Sequence, residues 1–385
     1  MIDPRLEEFA TATQRKYIKA VNEHGTNAKA ERALGLSNDT VSKSLRALKR
    51  AAAAKGFAPE HDLTRPAAPG FAVKGTSTYY NEAGKVTGQW VKTTRNQAET
   101  EEILREFVQH LMQDVKGLAP LANVPKHVDT DLLCVYPMGD PHYGMKAWWQ
   151  DAGDNFDLEI AERLTTGAID RLVSTAPDAE TALLLNLGDM FHADNQSNVT
   201  RSGHQLDVDG RWKKVQQVGL RSMIHCVRRL LEKHARVIFR IEGGNHDGHS
   251  SYALALALDA YFHLEPRVEV DLSAGPVWYH QFGANLIGST HGDTVKGPDL
   301  PAIMAHDRPK EWGDTKHRVW LVGHVHHEDR KEYRGCTVEY FRTLAARDAW
   351  HQGQGYRAGR DMRLIVLHRE HGEIERHRCD VAMLA

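Results

Sequence analysis

Carboxylates, imidazoles and one carboxamide recur in this sequence at the ends of apolar runs. They form the segments Gly139-Asp140-Pro141-His142, Gly188-Asp189-Met190-Phe191-His192, Gly243-Gly244-Asn245-His246-Asp247, Thr290-His291-Gly292-Asp293 and Gly323-His324-Val325-His326. Mixed oxygen and nitrogen donors of this kind accept divalent Mn, Fe, Zn or Ni. Gly-Asp and Gly-His pairs are common in turns, so no one segment is informative, but five in order, each behind a strand-like run, point to a two-metal site. Phosphate esters resist hydrolysis because their oxygens repel an anionic nucleophile and neutral water is a poor one. Two divalent ions about 3.5–4 Å apart answer both problems by acidifying a water and gripping the phosphoryl oxygens. The ligands must then come from several converging loops, with one carboxylate shared. Asp140 and His142 are two apart, as are His324 and His326, so extended backbone would point each pair to one side.

The order and residues of the five segments resemble the calcineurin-like metallophosphoesterase superfamily. The resemblance implies that Asp140, His142 and His326 bind one metal, that Asn245, His291 and His324 bind a second, and that Asp189 bridges them. Mn²⁺ is the first expectation for both ions, with Fe, Zn or Ni also suited to the ligands. The resemblance sets His246 over the substrate phosphate, as donor to a phosphoryl oxygen or general acid to the leaving oxygen. Asp247 would orient that imidazole and raise its pKa. Gly-Asp-x-Phe-His, ending at His192, is similar to the nuclease branch, the Mre11 and SbcD-like enzymes, in which this histidine sits beside the site and can help protonate a sugar leaving group. A supporting or packing role is the alternative for His192. The Ser/Thr protein phosphatase branch would show Gly-Asp-x-Val-Asp-Arg-Gly and Gly-Asn-His-Glu, and this sequence shows neither.

The elements that must hold these residues read as an α/β domain. Apolar runs at 132–138, 181–187, 237–241, 285–289 and 318–322 predict buried strands, and periodic segments at 158–173, 212–233 and 252–263 predict helices. Further strands are predicted at 277–282, 336–341, 363–368 and 373–378. The mixture resembles the superfamily's two packed sheets flanked by helices. Polar residues 194–198, Arg201, His204, Asp207 and Asp209 could form a wall of the cleft, and residues 342–356, with Arg347, Asp348, Trp350 and His351, could stack on bases or grip phosphates. A solvated loop and ordinary packing are the plainer alternatives. His225, His234, His263, His317 and His377 have no motif around them and read as structural.

Ahead of this domain, residues 15–56 predict three short helices, with apolar stripes of Tyr17, Ile18 and Val21, of Ala28, Ala33 and Leu34, and of Val41, Leu45 and Leu48. Gly35 permits a turn, and Ser37 or Asn38 can cap the third helix. The layout is similar to a helix-turn-helix domain, with Lys43, Arg46, Lys49 and Arg50 on the face opposite the third stripe, a face suited to DNA or to solvent. A Pro-rich linker at 59–69, a hairpin at 71–80 and 86–93 carrying Trp90 and the Tyr79-Tyr80 pair in a packing role, and a connecting helix at 97–116 complete the chain. The domains expected are therefore a helix-turn-helix over 1–57, a linking region over 58–130 and a catalytic domain over 131–385.

At 385 residues the chain can build two or three domains, and its net charge of −2 confines any nucleic-acid contact to a local patch. No apolar run approaches a membrane span, and residues 1–10 lack the apolar stretch of a signal peptide. Four cysteines without a C-x-x-C pair argue against zinc ribbons and disulfide frameworks. A cytoplasmic location is the expectation, that of a bacterial host if the chain is phage-encoded, since small DNA-binding domains joined to such catalytic domains resemble bacteriophage and prophage proteins. The expected activity is phosphodiester hydrolysis by in-line attack of a hydroxide held between the metals, on DNA as a nuclease. Two alternatives stand beside it: a phosphatase or cyclic-nucleotide phosphodiesterase on small substrates, and a non-catalytic DNA-binding regulator or packaging factor. No pattern sets the oligomeric state, a homodimer included.

Overall fold

The computed structural model describes residues 2–59, 63, 71–81, 86–95, 116–194, 198–199, 206–348 and 352–384. The chain divides into two compact units, Met1–Glu106 and Phe107–Ala385. Most of the 59–69 linker and of the 97–116 connecting helix lies outside the described residues.

In the first unit, α1 (Ala12–His24), α2 (Asn27–Ala33) and α3 (Thr40–Ala54) surround a core of Ile18, Val21, Ala30, Val41, Leu45 and Leu48. The second expected stripe is corrected: Ala28, Ala33 and Leu34 are exposed, and α2 buries Ala30 and Glu31 instead. Glu31 is buried because it has work to do there. Its Oε1 accepts the main-chain N–H groups of Val41 (3.0 Å) and Ser42 (3.3 Å), satisfying donors that the first turn of a helix leaves over. The cap expected from Ser37 or Asn38 is thereby supplied from a neighbouring helix, and the N-cap position is held by Asp39, whose side chain makes no capping bond. The strands β1 (Phe71–Tyr80) and β2 (Val86–Arg95) form the expected antiparallel hairpin. Its aromatics do not pack as expected: Trp90 and Tyr79 are 69% and 65% exposed.

The second unit contains two sheets. The first has six strands in the order β13 (Gly372–Asp380), β12 (Asp361–His368), β3 (Asp129–Met138), β4 (Ala179–Asn186), β5 (Arg236–Ile241), β6 (Val268–Val270). Strands β3 to β6 run parallel, and β12 is antiparallel to both its neighbours. The second has five, in the order β10 (Asp329–Tyr333), β11 (Cys336–Tyr340), β9 (His317–Val322), β8 (Asn285–Thr290), β7 (Trp278–Phe282). Strand alternation builds the layers. Leu133, Val135, Leu183, Leu185 and Ile238 of the first sheet meet Ile287 and Leu321 of the second in a shared core. Their neighbours Cys134, Tyr136, Ala182, Leu184, Val237 and Phe239 face helices α4 (Leu158–Thr175), α5 (Trp212–Leu231) and α6 (Ser250–Tyr261). On the outer face of the second sheet, Leu286, Trp320 and Val322 pack on Leu300 and Met304 of α7 (Leu300–Asp307). The result is the expected two-sheet sandwich flanked by helices. All four cysteines are buried and free, and burial pushes the Cys134 and Cys336 thiols up to about 12.

His234, read from sequence as structural, is fully buried between Tyr136 and Ala179. Its Nδ1–H donates to the Ala179 carbonyl (2.8 Å) and its Nε2 accepts the Tyr136 hydroxyl (3.0 Å). Burial pushes its pKa down to about 4, so the unfolded chain takes up a proton first as pH falls. The stability it contributes is complete above about pH 6.5 and is lost towards pH 4, an expected loss of about 2 kcal/mol between pH 7.5 and 5. Urea midpoints of wild type and His234→Gln at those two pH values check this: the acid loss should shrink by about that amount in the variant, and equal losses would contradict it.

Candidate metal centre

The five segments lie at the C-terminal ends of β3, β4, β5, β8 and β9. These ends meet where the two sheets come together. Among described non-glycine residues, positive φ occurs at Asp39, Asp140, His142, Asp189, Asn198, His324 and His326, and all but Asp39 and Asn198 belong to the seven expected ligands. Left-handed backbone is costly for residues with a Cβ and collects where function requires it. The extended geometry expected for Asp140 with His142 and for His324 with His326 is therefore corrected. The strands have ended, and left-handed turns aim these side chains. The motif glycines admit the turns. A Cβ on Gly244 would lie 2.0 Å from Asp189 Oδ1, and one on Gly188, itself at φ +102°, would lie 2.5 Å from His291 Nδ1.

The donor atoms of Asp140, His142 and His326 lie within 4.8 Å of one another, as do those of Asp189, His291 and His324. Within the first group, His142 Nε2 faces His326 Nε2 at 3.1 Å and His326 Nε2 lies 3.7 Å from Asp140 Oδ1. Within the second, His291 Nε2 lies 3.3 Å from Asp189 Oδ2 and 3.0 Å from Asn245 Oδ1. The groups are stitched together by the His324 N–H, which donates to both Asp140 carboxylate oxygens at 3.0 Å. The His142 N–H donates to the Asp189 carbonyl at 3.0 Å and the His246 N–H to Asp189 Oδ1 at 2.9 Å.

The donor set fits metal ions. His291 Nδ1–H donates to the Leu187 carbonyl (2.9 Å), leaving Nε2 aimed at a carboxylate oxygen and an amide oxygen. Converging acceptors require positive charge between them. Burial opposes that charge on His291, but the Asp189 carboxylate and its hydrogen bond override it and raise the imidazole to about 10. Burial likewise opposes ionisation of Asp189, yet the His291 charge holds its carboxyl well below the usual range. His142 and His324 are pushed down by burial and by neighbouring imidazoles, which keeps their nitrogens unprotonated as metal ligation demands.

His246 lies over this cluster, half-buried. Its Nδ1–H donates to the His192 carbonyl (2.8 Å), and its Nε2 is 4.0 Å from Asp189 Oδ2. The role expected of Asp247 is corrected. Its fully buried carboxylate accepts the main-chain N–H groups of Phe191 and Gly244, both at 3.0 Å, so it ties two motif loops together and the His192 carbonyl orients His246. Burial and the Asp189 charge push the Asp247 carboxyl up. The His192 ring is buried, stacks on that of His246 (centroids 5.2 Å, 20°) and sets its Nδ1 3.2 Å from His142 Nδ1. Burial pushes it down to about 3. Its place is beside the cluster, between His142 and His246.

Three supports were not read from sequence in the roles they take. The Thr343 hydroxyl donates to the Asp140 carbonyl (2.6 Å), in a segment bridged to Gly139. The Leu187 carbonyl fixes the His291 tautomer. Asp194 accepts from Ser250 N–H (2.8 Å) and His249 N–H (3.1 Å) and so caps α6; the reading of Asp194 as cleft wall gives way to this cap. Asp209 accepts the Leu158 N–H (2.9 Å) at the start of α4, and Arg342 pairs with Asp361 and Glu328. Asn195, Gln196, Ser197, Arg201, His204, Trp350 and His351 lie outside the described residues. The basic residues Lys43, Arg46, Lys49 and Arg50 belong to the first unit, exposed on α3.

No protein-family model matches the sequence, and no curated protein aligns with it. Among solved structures the chain is similar to a conserved uncharacterized protein (predicted phosphoesterase) from Streptococcus pneumoniae, at 10% identity over 66% of this chain and 99% of that one, with a TM-score of 0.28. It is similar to vacuolar protein sorting 29 from Cryptosporidium parvum at 15% identity, over 65% of this chain and 98% of that one, with a TM-score of 0.30. For a 5'-nucleotidase from Candida albicans the values are 10% identity, 68% of this chain, 55% of that one and a TM-score of 0.32. At these scores the functional reading stands on the side chains alone.

Proposed function

We propose that this chain is a dinuclear-metal phosphodiesterase of the calcineurin-like superfamily, acting on DNA as a nuclease of the branch that its Gly-Asp-x-Phe-His segment resembles. The observation that carries the reading is the convergence of six carboxylate and imidazole donors from two sheets, with Asn245 Oδ1 against His291, and with Asp140, His142, Asp189, His324 and His326 held in left-handed backbone to achieve it. Asp140, His142 and His326 would hold one ion, Asn245, His291 and His324 the other, and Asp189 both, with Mn²⁺ the first candidate. Bound there, the ions would polarise the phosphoryl oxygens and lower the pKa of a water.

The chain's own residues do the remaining work. With its Nδ1–H committed to the His192 carbonyl, His246 turns Nε2 to the site, the atom from which a proton would go to a phosphoryl oxygen or to the leaving oxygen. Stacking on His192 holds the ring in that direction. Asp247 keeps the loops of the second and third segments at a fixed spacing.

DNA delivery is assigned to the first unit. Lys43, Arg46 and Arg50 line the face of α3 opposite buried Val41, Leu45 and Leu48, with Lys49 at its flank, as a groove-entering helix of a helix-turn-helix would present them. The test is cleavage of labelled single- and double-stranded DNA beside a small chromogenic diester, with Mn²⁺ and then with EDTA. Metal-dependent DNA cutting is expected. Turnover of the small ester alone would move the substrate to nucleotides or phosphoproteins. Replacing Lys43 and Arg46 by Ala should weaken duplex binding and reduce its salt slope by about 2, leaving diester turnover intact; unchanged affinity would leave α3 a solvated face.

A further inference from the structure

The hairpin β1–β2 presents a face that its own unit leaves uncovered. Between Gly75 and Tyr79 the register is unbroken, pairing Gly75 with Lys92, Ser77 with Trp90 and Tyr79 with Gly88. Paired residues of an antiparallel ladder share a face, so Lys92, Trp90 and Tyr79 stand together among three small residues. The other face is marked by the Gln89 to Thr78 side-chain bond (2.9 Å). A Cβ on Gly88 would sit 3.9 Å from the Trp90 ring, which therefore leans across Gly88 towards Tyr79. Gly75, Ser77 and Gly88 leave the space around the rings open. Two large aromatics more than three-fifths exposed on one ribbon mark a contact surface. The charge states what it contacts: the two strands contain Lys74, Lys92 and Arg95 and neither Asp nor Glu.

We infer that this face binds single-stranded nucleic acid, its bases stacking on Trp90 and Tyr79 and a phosphate pairing with Lys92. Stacking needs a base whose flat side is free, which a duplex does not offer along its length, whereas an exposed aromatic pair beside a cation suits a single strand of any sequence. The proposal rests on the reading of the substrate as nucleic acid, and it adds a strand-holding surface distinct from the α3 helix face assigned to duplex DNA.

The test is fluorescence anisotropy of a labelled oligo-dT and of a duplex, with the full chain in a His246→Ala background containing Mn²⁺. Adding Trp90→Ala should weaken oligo-dT binding about 10-fold, and Tyr79→Ala with it about 100-fold, as loss of one and two stacked bases predicts. Trp90→Phe, which keeps a ring, should stay within about 3-fold of the parent. Duplex affinity should change less than about 2-fold, because phosphate contacts govern it. Unchanged oligo-dT affinity in the double variant overturns the proposal. So does a drop from dimer to monomer on sedimentation of Trp90→Ala, which would assign the face to a second copy of the chain. A wild-type chain that hydrolyses the small diester but does not bind oligo-dT overturns the hairpin proposal and leaves the metal centre standing. One that binds oligo-dT through Trp90 yet cuts no DNA supports the hairpin and overturns the nuclease reading.

Discussion

Asp189→Asn is expected to empty both metal positions at once. Asp189 is buried to 2% exposure and is touched from both sides of the site: His291 approaches Oδ2 at 3.3 Å, the His246 N–H meets Oδ1 at 2.9 Å, and the His142 N–H meets the carbonyl at 3.0 Å. Asn is nearly isosteric, so the left-handed turn can persist, but the change removes the negative charge that the proposal has both ions share and aims amide N–H groups at cations. Loss of a partner outside the coordination sphere typically costs about 10–100-fold in metal affinity, and loss of the bridge should cost more. Metal per chain after dialysis, read by mass spectrometry, should fall for both ions together, and DNA and diester turnover should fall with it. Asn245→Ala provides the contrast, since it should weaken only the second ion. Loss of a single ion from Asp189→Asn would mean that the carboxylate is a terminal ligand.

His246→Ala should separate chemistry from metal binding. The link from His246 to Asp189 runs through its main-chain N–H, which alanine retains, and the imidazole itself bonds to the His192 carbonyl through Nδ1. Metal content should therefore stay near wild type. Turnover should fall by about 10²–10⁴-fold, the range for loss of a positioned acid or base. The fall should be smaller for a diester with a good leaving group, which needs less protonation, than for DNA. Metal loss equal to that in Asp189→Asn would end the division of labour between the two residues.

The sandwich was legible because its central strands are buried on both faces and read as unbroken apolar runs, as at Leu133–Met138 of β3 and Leu183–Leu185 of β4. What escaped lacks that signal. Strand β10, Asp-Arg-Lys-Glu-Tyr, is an exposed edge strand of charged residues, a composition that guards edges and hides them from apolar pattern. Strand β6 has three residues, and α7 carries no polar stripe to set off its apolar one. Within the site, the residues that converge could be read because motif spacing survives in sequence. The left-handed turns were not read, because Asp and His enter that region more often than other non-glycine residues yet still only occasionally. Asp247 was misassigned for a related reason: adjacency to His246 suggested a pair, whereas the chain turns and spends the carboxylate on main-chain donors of two loops. Glu31 shows the same limit in the first unit, where a charged residue is buried to cap a helix ten residues away.

The central claim is that two metals share Asp189. Electron paramagnetic resonance of the Mn²⁺-loaded full chain, with metal counted on the same sample, tests it most directly. Two Mn²⁺ bridged by one carboxylate lie about 3.5–4 Å apart and should give an exchange-coupled multiline spectrum at two ions per chain, replaced in Asp189→Asn by the spectrum of free or isolated Mn²⁺. A six-line signal of isolated ions in the wild-type chain, or a single ion per chain at saturation, would contradict the account.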